Sequence, residues 1–228
     1  MRTRGLISAL ALSALIVPAV SAQSSRGVIR GNVLVRGNTD AQPVLVSQQQ
    51  DVCGESVANR HLVINKGRLA NALVVLDYKG PADMKASPVT LRTDNCDFAP
   101  TVQVVPPGST LILDNDDPIT HTVNLVHRGR KLTTVELGID EQEKQRGRLA
   151  EPKLLDVQCE YHDWMYAKVW VLDHPYYALT AKDGSFEIPL VPEGTYTLKV
   201  WHEELGMQAQ EIIVQGGKSV TASFTYNR

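Results

Sequence analysis

The sequence predicts an all-β protein made of two β-sandwiches. Short segments rich in β-branched and aromatic residues recur along the chain, turn residues separate them at regular intervals, and helical periodicity is nearly absent. Strands are expected at 28–35 (VIRGNVLV), 72–78 (ALVVLDY), 101–105 (TVQVV), 110–114 (TLILD), 121–126 (HTVNLV) and 153–159 (KLLDVQC). They continue at 167–173 (AKVWVLD), 185–190 (SFEIPL), 195–201 (TYTLKVW), 210–214 (QEIIV) and 220–226 (VTASFTY). Pro107-Gly108, Asp183-Gly184, Pro192-Glu193-Gly194 and Gly216-Gly217 supply turns between them. The polar stretch 139–153 reads as a surface excursion with room for one helical turn.

The first residues stand apart from this pattern. Arg2 and Arg4 precede an apolar run that ends in Val20-Ser21-Ala22, the arrangement of a signal peptide cleaved before Gln23. Residues 1–22 are therefore expected to be removed and the mature chain to be periplasmic or secreted. Later segments fall short of the roughly 18 apolar residues of a membrane span, so no span is expected in the mature chain. Cleavage takes away two arginines and no acid, moving the formal charge from −2 to −4. That balance is the wrong sign for a nucleic-acid partner.

Three cysteines in an oxidising compartment leave one unpaired. Cys53 and Cys96 lie in turn-rich sequence without a histidine beside them and are expected to form a disulfide, stabilising by roughly 4 kcal/mol in the chain-entropy account. Cys159 is then the free thiol, and it opens the heptapeptide CEYHDWM. There Cys159, His162 and Met165 follow one another at intervals of three, a thiolate, an imidazole and a thioether on one loop. One mononuclear copper with two imidazoles and a thiolate, and a weak axial thioether, needs a second histidine from upstream. His121 meets that demand, directly after the Asn-Asp-Asp-Pro turn and at the start of an expected strand.

Two resemblances follow from these residues. The order strand, turn, His121, strand, excursion, then Cys159-x2-His162-x2-Met165 resembles the cupredoxin family, with the short ligand loop most similar to that of amicyanin. The spacing from Phe98 through Asn115 is also similar to the strands before the family's first ligand. This resemblance covers roughly residues 88–173 and implies that His121, Cys159, His162 and Met165 hold one type 1 copper. It further implies a Greek-key sandwich, with Tyr161 and Trp164 beside an electron-transfer surface. Thr122 stands where the family commonly has asparagine. The second resemblance is to carboxypeptidase-regulatory-like (transthyretin-like) sandwiches, carried by Asp183, Gly184, Phe186, Ile188, Val191, Pro192, Gly194, Tyr196, Leu198 and Val200. Residues 27–38 and 69–77 look like the first half of such a module. The expected organisation is a split sandwich, 27–84 with 174–228, around a copper domain at 85–173; two sandwiches in succession are the alternative.

What these features imply is an exported electron carrier rather than an enzyme, since neither an H-x-H pair nor a G-x-S-x-G turn occurs. The expected partner is a redox protein such as a cytochrome or an oxidoreductase. Copper storage or delivery, and a metal-free binding or adhesion module, are the other readings of the same residues. His127 and His202 are expected to be exposed.

Overall fold

A computed structural model gives the fold of residues 25–80 and 82–228. The expected signal peptide lies outside the described residues. Among the described residues the chain is all-β apart from one helical turn, Gln50–Cys53, and each of the expected strands overlaps an observed one. The class is the expected one, all-β, with two β-sandwiches.

One sandwich takes its strands from both ends of the chain. Strand Arg26–Arg36 pairs antiparallel with Ser185–Pro192 and parallel with Ser219–Asn227. Facing it is a sheet in the order Tyr177–Leu179, Leu73–Leu76, Gly194–His202, Gly206–Val214. Alternation along Arg26–Arg36 turns Ile29, Val33 and Val35 inward, where they meet Leu69, Val74, Phe186, Leu198 and Phe224. Gly31 is required where the parallel strands cross most closely: a Cβ there would fall 1.6 Å from the carbonyl oxygen of Ala222.

The other sandwich is built from the middle of the chain. One sheet runs Gln142–Leu149, Ser109–Asn115, Pro88–Thr93, Phe98–Ala99; the other runs Arg130–Leu137, His121–His127, Lys153–Cys159, Tyr166–Val171, Val102–Val105. Leu91, Phe98, Leu111, Leu113, Val123, Leu125, Val157 and Val169 fill the space between them. Fully burying one such side chain stabilises by roughly 1.5–3 kcal/mol.

Three differences from the sequence expectation have physical causes. The stretch 139–153 is not an excursion: it holds strand Gln142–Leu149, paired antiparallel with Ser109–Asn115. As an edge strand it needs no second apolar face, so its polar sequence hides it. Strand Arg130–Leu137 is an edge of the same kind. Finally, residues 44–57 do not stay with the sandwich formed by the rest of 27–84. Val46 is buried in the central core, and Val44, Cys53 and Val57 pack against it.

The two sandwiches meet through polar as well as apolar contacts. Trp170 and Trp201 pack edge to face with ring centroids 5.2 Å apart. His61 bridges the junction: Nδ1 lies 2.8 Å from Oε1 of Glu203, Nε2 lies 3.7 Å from Oδ1 of Asp97, and the ring stacks on Tyr166 at 3.7 Å. His202, expected on the surface, is instead buried at this junction at the end of its strand, whereas His127 is partly exposed.

Candidate metal centre

Strand register brings the first two candidate ligands together. Val123 pairs with Cys159, so Cys159 lies beside His121, which is two residues before Val123 and shares its face. The N–H of Glu160 donates to the carbonyl of Thr122 at 2.8 Å and extends the pairing into the loop. The loop then folds back: Met165 N–H donates to the His162 carbonyl (2.9 Å), and Cys159 N–H donates to the Met165 carbonyl (3.1 Å). That turn carries His162 inward.

The result is a buried triangle. Cys159 Sγ lies 3.8 Å from His121 Nδ1 and 3.4 Å from His162 Nδ1, and the two nitrogens are 3.2 Å apart. His121 is fully buried, His162 is 2% exposed and Cys159 is 6% exposed. Among the described residues these three form the one group of histidine, cysteine and acidic side chains that converges on a point. A point equidistant from the three atoms is about 2.0 Å from each, close to the metal–imidazole bond of 2.0–2.1 Å and slightly inside the metal–thiolate bond of about 2.3 Å. A soft thiolate with two imidazoles in one plane suits copper in either of its common oxidation states. Met165 is buried in the same core as Cys159. Cys159 is the free cysteine, and Cys53 is bonded to Cys96.

Burial and neighbouring charge set the protonation of the triangle. Burial alone would lower the pKa of His121, but the Asp117 carboxylate and the Cys159 sulfur raise it to about 9. Burial alone would raise the Cys159 pKa, but His121 and the backbone N–H groups of Tyr161 and His162 bring it below the ordinary thiol value. His162 goes the other way, lowered by burial and by the charge on His121. The metal-free site thus holds a protonated His121 beside a thiol shifted toward its thiolate form and an imidazole, His162, shifted toward its neutral form.

Both histidines have outer partners that the sequence did not signal. Asp117 Oδ2 lies 3.1 Å from His121 Nε2, while its other oxygen accepts from the Cys96 N–H at 3.0 Å. Read as part of a turn, Asp117 is in fact an orienting carboxylate four positions before the ligand. Gln49 Oε1 lies 2.8 Å from His162 Nε2, across 113 positions of chain. Asn115 pins the ligand-bearing turn, donating from Nδ2 to the carbonyls of Ile119 (2.8 Å) and Gly138 (2.9 Å). Thr122 does not tie the ligand loops through its side chain. Glu160 does so instead, accepting from Asn124 and from Lys131.

Tyr161, expected beside an electron-transfer surface, is 61% exposed next to the site. Trp164 is not on that surface. It is 5% exposed, its indole N–H donates to the Cys96 carbonyl at 2.9 Å, and its ring lies 5.0 Å from that of His162. Its polar edge finds a backbone acceptor inside, so the ring buries.

Comparison with known proteins gives partial matches. The family profile "Polysaccharide lyase family 4, domain II" matches residues 160–222, from the ligand loop into the last strand. No curated protein matches the chain. Among solved structures, a purple cupredoxin from Nitrosopumilus maritimus is 18% identical, covering 39% of this chain and 100% of its own, with a TM-score of 0.33. Amicyanin from Paracoccus versutus is 17% identical, covering 43% of this chain and 97% of its own, with a TM-score of 0.34. A copper-containing nitrite reductase from Thermus scotoductus is 17% identical over 61% of this chain but 28% of its own, with a TM-score of 0.33.

Proposed function

We propose that this protein is an exported, mononuclear type 1 copper protein that passes single electrons to and from a redox partner, without catalysing a reaction of its own. The observation that carries this reading is the convergence of His121 Nδ1, Cys159 Sγ and His162 Nδ1 within 3.8 Å of one another in a buried pocket. Met165, buried in the same core, would supply the weak thioether of the set. A copper ion held by these residues supplies a one-electron couple.

The chain's own residues supply rigidity and dryness. The thiolate of Cys159 is stabilised by backbone N–H groups, His121 is oriented by Asp117, and His162 by Gln49. Trp164, packed against His162 and bonded to the Cys96 carbonyl, limits movement of the loop. A buried, pre-formed site favours electron transfer over copper storage or delivery, which requires ligands within reach of a recipient. The partner is a redox protein, such as a cytochrome or an oxidoreductase, approaching near the exposed ring of Tyr161.

Addition of Cu(II) to the metal-free protein tests the proposal. An intense visible thiolate-to-copper band, absent from Cys159→Ser, and a reversible voltammetric wave are expected. A colourless complex defeats the type 1 assignment, and a coloured protein with no electron exchange favours the storage reading.

A further inference from the structure

We propose that Gln49 is a positioning residue for the metal centre: it fixes His162 with Nδ1 turned toward Cys159 and His121, and it closes the outer edge of that imidazole to water and small ligands. Its metal-bound consequences rest on the copper reading above; its metal-free consequences rest on hydrogen bonding alone.

His162 is 2% exposed although Tyr161 before it is 61% exposed and Asp163 after it is exposed. The cover comes from a distant segment. Val44–Leu45 and Ser56–Val57 pair as a small ribbon, and the tip between them, with Gln49 and the turn Gln50–Cys53, reaches the ligand loop. Three anchors hold it there: Val46 in the central core, the Cys53–Cys96 disulfide, and Ser47 Oγ donating to Asp163 Oδ1 at 3.4 Å. Gln49 itself adopts φ 53 and ψ 39, the left-handed conformation that non-glycine residues avoid at a cost on the order of 1 kcal/mol. The disfavoured backbone thus occurs at the residue whose side chain meets the ligand.

The chemistry of the contact sets the tautomer. An amide oxygen only accepts, so His162 Nε2 carries the hydrogen and donates to Gln49 Oε1. The lone pair is then on Nδ1, 3.4 Å from Cys159 Sγ.

Long-range nitrogen–proton NMR on the metal-free protein tests this directly. The wild type should show His162 as the Nε2–H tautomer with a slowly exchanging ring proton. Gln49→Ala should speed that exchange about three- to tenfold, as loss of one hydrogen bond does, and Gln49→Glu, which keeps an acceptor, should restore it. An Nδ1–H tautomer in the wild type, or equal exchange in wild type and Gln49→Ala, overturns the proposal whether or not the chain takes up copper. In the copper-loaded protein, azide should leave the wild-type visible spectrum unchanged and shift that of Gln49→Ala. Copper affinity of Gln49→Ala should fall about 10- to 100-fold, again rescued by glutamate. Equal azide response in both proteins overturns the covering role. Failure of the wild type to take up copper overturns the carrier reading instead, leaving the NMR result to decide on Gln49.

Discussion

Asp117 Oδ2 stands 3.1 Å from His121 Nε2, so one candidate ligand is backed by a carboxylate while the other, His162, is backed by a neutral amide. A carboxylate behind an imidazole raises its basicity as a ligand. Asp117→Asn keeps an acceptor but removes the charge. We expect copper(II) affinity to fall about 10- to 100-fold and the reduction potential to rise, because a weaker donor disfavours Cu(II). Competition titration and voltammetry check this; a potential equal to the wild type's would show that the carboxylate only orients the ring.

How much of this was legible in sequence divides along physical lines. The three converging ligands announced themselves because a thiol, an imidazole and a thioether at fixed short spacing are rare, and because His121 follows a turn and opens a strand. Most of the longer interior strands were legible through the apolar alternation of segments such as Lys153–Cys159, although Pro88–Thr93, paired on both sides, was not. Edge strands Arg130–Leu137 and Gln142–Leu149 were not, because an edge facing water carries little of that alternation. Gln49 was invisible: it sits in a run of glutamines, and its meeting with His162 depends on a contact between segments 113 positions apart. Trp164 reads equally as part of a surface patch or as packing, because sequence does not tell which way an indole points. The Cys96 carbonyl, its acceptor, is inside.

The disulfide links the supports of both histidines. Cys96 donates its N–H to Asp117, accepts from Trp164 through its carbonyl, and is bonded to Cys53 on the segment that carries Gln49. Replacing both Cys53 and Cys96 by serine should destabilise the fold by roughly 4 kcal/mol for a loop of this length, seen as a lower urea midpoint. It should also loosen the site, so copper affinity falls with stability. Unchanged affinity in a destabilised variant would separate the disulfide from the centre.

The junction between the sandwiches should give stability a pH dependence of its own. Burial alone would lower the His61 pKa, but the carboxylates of Asp97 and Glu203 raise it to about 9, above the ordinary 6.5. A folded-state value above the unfolded one gives stability that is fully present below pH 6.5 and fades as pH rises through about 9. The shift corresponds to something on the order of 3 kcal/mol. His202 acts at the acid end: burial and the His61 charge hold its pKa down to about 4, so protonation of the unfolded chain erodes stability as pH falls from 6.5 toward 4. Urea unfolding of wild type and His61→Gln across this range checks both limbs. The alkaline decline should be absent from the variant, and its persistence there would assign it to other groups.

Copper uptake should release the His121 proton at neutral pH. His121 holds its proton up to about pH 9 in the metal-free site, whereas the Cys159 thiol is shifted below its ordinary value and His162 is already neutral. A metal bound through His121 Nδ1 must displace the proton there, since Nε2 keeps its hydrogen toward Asp117. Binding and protonation therefore compete at one nitrogen. Apparent copper affinity should rise about tenfold per pH unit from neutrality and level off near pH 9. Calorimetric titration in buffers of different ionisation enthalpy measures the proton count. In Asp117→Asn the His121 proton is held less tightly, so the release should shrink and the levelling should move to lower pH. A proton release that does not shrink in Asp117→Asn would mean that His121 is not the group that gives up the proton.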